Sequence, residues 1–225
     1  MGGKVKCSRL LAAGGLFLVL VGLILATPAR AKGPRQIGGV SRIQSEAVAE
    51  QGGRNRTLVQ GGPVYEGDVL RTGAGARLEM QFLDGTILTM SEDTAFSLDA
   101  YALDGDRRRG DVAFQLFSGA FRTVTGITVS DAVHMQVKTP LATIGIRGTD
   151  FWGGWLNVHG FGVLMLSGKT VTITNRAGTA TIDKPGYGVS VMAPDEPIDD
   201  PIPWAQPKLF MALDTVTFGP GGQGQ

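Results

Sequence analysis

Four aspartates stand at or beside turn residues: Asp84, Asp104, Asp106 and Asp111. Two acids facing each other across a groove is the arrangement that cleaves a glycoside, one protonating the leaving group while the other serves as base or nucleophile. On that reading Asp84 or Asp104 is the acid of a carbohydrate-active enzyme. Turn chemistry explains the same residues without any reaction, because an aspartate at a turn bonds its own backbone. Aspartates at repeated turns also offer oxygen ligands to calcium, but their spacing matches no calcium-binding loop. The two histidines, His134 and His159, are far apart, and His134 alternates onto the same face as Gln136 and Lys138. Both read as surface or loop residues. The single cysteine, Cys7, precedes an apolar run, and the chain has no His-x-x-x-His, Gly-x-Ser-x-Gly or phosphate-loop pattern. The expectation is no catalytic residue, no metal and no cofactor.

Other side chains invite binding rather than catalysis. Arg107, Arg108 and Arg109 form a basic knot whose neighbours Asp104, Asp106 and Asp111 neutralise it. Arg109-Gly110-Asp111 spells an adhesion tripeptide, too short to carry an assignment, and Asn55-Arg56-Thr57 is a glycan acceptor only in a glycosylating host. Trp152 and Trp155 flank Gly153 and Gly154. Large aromatics beside permissive backbone suit a contact surface or a sugar-stacking platform, which makes this pair the candidate binding edge. The competing reading is that they fill the core at a bend.

These residues sit on a scaffold with one repeated pattern. Over most of the region from about Ser41 to Met192 apolar and polar residues alternate with period two, as in Leu78, Met80 and Phe82 against Arg77, Glu79 and Gln81, or Val133, Met135 and Val137 against His134, Gln136 and Lys138. That period places one set of side chains on each face of a strand, so the class is all-β. Breaks such as Glu66-Gly67-Asp68, Asp84-Gly85 and Ser167-Gly168 are turns, where glycine supplies positive φ. Glycines 67, 85, 105, 126, 148, 168 and 188 recur at steps of about twenty residues, which suits a β-solenoid whose coils shield one another. A β-sandwich accommodates the same short strands.

The ends differ from this middle. Lys4, Lys6 and Arg9 precede an apolar run from Leu10 to Ala26, followed by Pro28 and Ala29-Arg30-Ala31. This is the layout of an export signal, residues 1–31, with cleavage after Ala31 and the protein periplasmic or secreted. Cys7 lies ahead of the run, where a lipoprotein signal could not use it, and no membrane insertion is expected once the signal is removed. Residues 32–41 read as a flexible leader and 42–192 as the all-β domain. Residues 193–225 read as a proline- and acid-rich linker and tail, with a short helix inside Trp204–Thr217 whose apolar side is Leu209, Phe210 and Leu213. Removing residues 1–31 leaves 17 basic against 20 acidic residues and no cysteine. A mildly acidic chain has no electrostatic reason to bind nucleic acid, and its fold must be held by a core without disulfides.

The ordered set Gly67-Asp68, Thr72-Gly73, Asp84-Gly85-Thr86, Thr139-Pro140, Gly148-Thr149 and Gly168 resembles the FecR domain family over about Arg42 to Val191. The resemblance implies an exported, solenoid-like β module in which Gly67, Asp68, Thr72, Gly73, Asp84, Gly85, Pro140, Gly148 and Thr149 are structural hallmarks. The family's best-known members pass the state of an outer-membrane iron-siderophore receptor to a sigma factor. Only nine residues precede the apolar run here, and little chain follows the β region, so the expectation is a stand-alone module. Its leading function is a non-catalytic binding or scaffold protein with a cell-envelope protein or glycan as partner. Iron-responsive signalling is the alternative, and a carbohydrate-active enzyme the third reading.

Overall fold

The computed structural model describes residues 1–3, 33–103, 110–126, 133–156 and 160–219. Residues 4–31 of the expected export signal, Asp104, Asp106, Arg107 to Arg109 and His159 lie outside the described residues. The chain divides into two units, Met1–Gly33 and Pro34–Gln225, and every described strand and helix belongs to the second.

In chain order the strands are β1 (Gln36–Gln44), β2 (Ala47–Gln51), β3 (Arg54–Thr57), β4 (Pro63–Tyr65), β5 (Val69–Thr72), β6 (Arg77–Phe82), β7 (Ile87–Met90) and β8 (Ala95–Leu103). They continue as β9 (Gly110–Ser118), β10 (Ala120–Val124), β11 (Val133–Lys138), β12 (Thr143–Trp155), β13 (Phe161–Thr174), β14 (Thr179–Ile182), β15 (Tyr187–Val191) and β16 (Ile202–Pro203). A helix, α1 (Gln206–Thr215), comes after them. The strands join one sheet in the order β3-β2-β5-β8-β9-β11-β12-β10-β7-β6-β1-β4, with β13 on β12 carrying β14, β15 and β16.

Period-two alternation becomes the burial pattern directly: β11 is buried and exposed at strictly alternate residues, and β6 buries Leu78, Met80 and Phe82. The buried set could not be shielded by a flat sheet. Phe82 of β6 stacks on Tyr101 of β8 and on Phe114 of β9, at centroid distances of 5.6 and 5.2 Å, although several strands separate them in the sheet order. Phe96 of β8 likewise meets Phe121 of β10 at 5.2 Å, and Phe121 meets Phe151 of β12. The sheet therefore curls so that β2, β5, β8, β9 and β11 face β1, β6, β7 and β10 across an aromatic spine. Each fully buried phenylalanine contributes about 1.5–3 kcal/mol by leaving water.

The all-β expectation holds. The chain crosses between the two halves repeatedly, β1 to β2, β3 to β4, β4 to β5, β5 to β6, β7 to β8 and β9 to β10, which is the winding expected of a solenoid. The ladders differ from strictly stacked coils, because among the described strands all are antiparallel except β9 with β11.

Both flanks depart from the sequence reading. The leader expected to be flexible is strand from Gln36, where Ile37 and Val40 are buried and Gly38 lies so close to β6 that a Cβ would stand 2.5 Å from the Gln81 carbonyl oxygen. The tail is docked along the fold. Asn175 donates to the carbonyls of Ala193 and Glu196, Ile198 packs on the core, β16 pairs with β15, and Gly219 donates to Gln44 Oε1. Its composition cannot build a core of its own, so its few apolar residues use the outer face of the sheet. The helix buries Ala212, with Leu209 partly covered, and turns Phe210 outward, so the expected apolar side is rotated.

Candidate functional site

The sequence hallmarks gather at corners of the chain. Asp84 is buried at the β6–β7 turn, where its carboxylate accepts from the backbone amide of Thr86 (2.9 Å) and from the Thr86 hydroxyl (3.1 Å). Gly126 donates to that same hydroxyl, and its own position admits no side chain, since a Cβ would stand 2.3 Å from the Asp84 carbonyl oxygen. Asp84-Gly85-Thr86 is thus a clamp between two turns. Asp68, also buried, accepts from the Arg56 guanidinium (2.6 Å) and the Tyr65 amide (2.9 Å) beside Gly67. The buried Thr72 hydroxyl donates to the Ser91 carbonyl and accepts from the Thr94 amide, while Gly73 donates to Glu46.

Pro140 occupies the turn between β11 and β12, which the Thr139 hydroxyl closes by accepting from the amides of Leu141 and Ala142. Gly148 has a deeper role. Before it, β12 pairs with β11 through Thr143 to Ile146; after it, β12 pairs with β10 through Asp150 to Gly154. The strand changes neighbours at Gly148, whose φ of 53° bends it. Opposite, Thr149 faces Gly168 of β13, and a Cβ on Gly168 would lie 2.3 Å from the Gly148 carbonyl oxygen. The buried Thr149 hydroxyl sits 2.7 Å from the Arg147 carbonyl and 3.1 Å from that of Thr170. Gly148, Thr149 and Gly168 form the crease about which the sheet folds. Asp150 beyond it makes a two-pronged pair with Arg122, at 2.9 and 2.7 Å, and this bond holds the guanidinium above its ordinary pKa.

The two tryptophans of the expected binding edge differ in exposure, Trp152 being buried and Trp155 partly exposed. Trp152 is fully buried on the outer face of β12, against Leu164, Ala120, Ala212 and Trp204, and its indole donates to Thr215 Oγ1 at 2.9 Å. Trp155 packs edge-on against Phe161. Alternation points Phe151 inward and Trp152 outward; the docked tail then covers the outward ring. Asp111 and His134 approach to 3.4 Å on an exposed part of β9 and β11, and Asn55 lies on β3. Among the described residues no cluster of three or more His, Cys, Asp or Glu could hold a metal. No helix among them is long and apolar enough to cross a membrane.

Sequence reasoning missed a cavity of about 460 Å³ beside the first turn of α1, lined by Leu156, Gly162, Ser190, Trp204, Lys208 and Met211, among others. Its walls are predominantly apolar. Lys208 Nζ stands 3.9 Å above the centre of the Trp204 ring and donates to Ser190 Oγ at 3.2 Å. Burial lowers the Lys208 pKa from its ordinary value, and no carboxylate of the described residues pairs with it. The lining comes from three separated stretches, so its one legible sign was a tryptophan set in a proline-rich tail.

The FecR protein family matches residues 68–181, just over half of the chain. Two crystal structures of a candidate anti-sigma factor from Parabacteroides distasonis ATCC 8503 share the fold, each with a TM-score of 0.51 at 13% identity over 63% of this chain. The chain spans 62% of the length of that protein. No curated protein matches the chain.

Proposed function

Because the chain belongs to the FecR protein family, we propose that it is a regulatory component of a signalling pathway that works by binding other proteins and carries out no reaction of its own. The observation that carries this reading is the family match over 68–181, a span containing the turn clamp at Asp84 and the crease at Gly148. The description of the Parabacteroides distasonis protein as a candidate anti-sigma factor supports control of gene expression as its setting. Asp84, one of the two acids a carbohydrate-active enzyme would have used, is buried and bonded to Thr86 within its own turn. The sequence alone put a stand-alone scaffold first and signalling second; the comparisons favour the reverse order. The apolar run Leu10 to Ala26 supports work outside the cytoplasm.

The test is a deletion strain and its complemented partner, compared by RNA sequencing in iron-replete and iron-starved medium. The expected result is a change in a narrow set of transcripts, iron-uptake genes among them, restored by the wild-type chain. An unchanged transcriptome in both media would overturn the proposal.

A further inference from the structure

The geometry points to a ligand site that goes beyond the signalling reading: the cavity between β13, β15 and the start of α1 binds a small amphiphilic carboxylate, with Lys208 holding the anionic head and Trp204 walling the apolar body. The space of about 460 Å³ falls within the range of about 300–1,000 Å³ that small ligands occupy. Leu156, Met211 and the Trp204 ring give it apolar walls, and glycine shapes one of them. A Cβ on Gly162 would stand 2.8 Å from the Trp204 ring, so the bare backbone is what lets the indole lie against β13. Such walls select an apolar body.

The head group follows from charge. Among the described residues Lys208 is the one cation in the lining, and its hydrogen-bond partner, the Ser190 hydroxyl, is neutral. A part-buried ammonium without a counterion attracts an anion, and of its three donors Ser190 takes one. A neutral ligand would leave the ammonium uncompensated, a cation would be repelled, and a phosphate dianion would find a single cation and a single hydroxyl. A monoanionic carboxylate on an apolar chain or ring satisfies both walls and charge.

The experiment titrates the purified protein calorimetrically with sodium decanoate below its micelle concentration, and with 1-decanol as the uncharged match. Decanoate is expected to bind saturably at one site and more tightly than decanol. Lys208→Met, which keeps the apolar stem over Trp204, should weaken decanoate about tenfold or more and leave decanol unchanged. Ala205→Phe fills the cavity from an exposed position and should remove both. Lys208→Gln provides a second charge deletion should the methionine variant fold poorly by circular dichroism. Absence of saturable decanoate binding, equal affinity for decanoate and decanol, or decanoate affinity unmoved by both Lys208 variants would each overturn the assignment.

Discussion

Gly168→Ala probes the crease at the point where the structure leaves least room. Gly168 has φ 110°, and an added Cβ would lie 2.3 Å from the Gly148 oxygen and 2.6 Å from Thr149 Cα, both backbone atoms of β12. Neither can swing aside as a side-chain tip would. Holding alanine at that φ costs about 1–3 kcal/mol. Relieving the contact also parts β12 from β13 beside the Thr149 to Thr170 bond, at about 0.5–1.5 kcal/mol for each hydrogen bond lost. The expected destabilisation is about 1.5–4.5 kcal/mol. Gly148→Ala is the internal control: its φ is 53° and nothing lies within 4 Å of the new Cβ, so only the left-handed penalty of about 1–2 kcal/mol applies. Gly148→Asn should cost less again, since asparagine visits that region readily. Urea unfolding followed by tryptophan emission measures all three. Equal stabilities for Gly168→Ala and Gly148→Ala would refute the close approach, and with it the claim that these two glycines crease the sheet.

Three more outcomes rest on the same geometry. Asp84→Ala strands the buried Thr86 amide and hydroxyl and should cost about 2–4 kcal/mol in urea unfolding, with Asp84→Asn milder; a fully stable alanine variant would mean the clamp is dispensable. Trp152→Ala removes a fully buried ring and its bond to Thr215, so a loss of about 3–5 kcal/mol is expected, together with faster proteolysis of the segment after Met192. Unchanged cleavage of that segment would show that Trp152 does not hold it. A fragment of residues 68–181 lacks β1, β2 and β15, which pair with β6, β5 and β13, so it should give no cooperative melt, whereas residues 34–219 should melt in one transition.

The sequence made the strands legible and left their neighbours hidden. Alternation in Arg77–Phe82 or Val133–Lys138 names the inward residues because burial follows side-chain direction, and that survives folding unchanged. It carries no information about pairing: β9 lies parallel to β11 while β10, between them in sequence, sits in the opposite half. The glycine series marked places of unusual backbone, with Gly105 outside the described residues and Gly188 inside β15 and not at a turn. Gly67, Gly85, Gly148 and Gly168 have positive φ, and Gly126 and Gly188 lie where a Cβ would collide, the latter with Trp204. The tail misled because proline and acid content argue against a self-contained core, whereas Trp204, Ala212 and Val216 complete one already begun by Trp152 and Leu164. The cavity needed that docking to exist, so no local pattern announced it.

A chain that changes sides with nearly every pair of strands is stitched, not stacked. Each pass fastens the one before it through the opposite half, so the two halves have no separate existence in time or space. A single break in the turn between β9 and β10 should leave both pieces interlocked, migrating as one body until denaturant parts them.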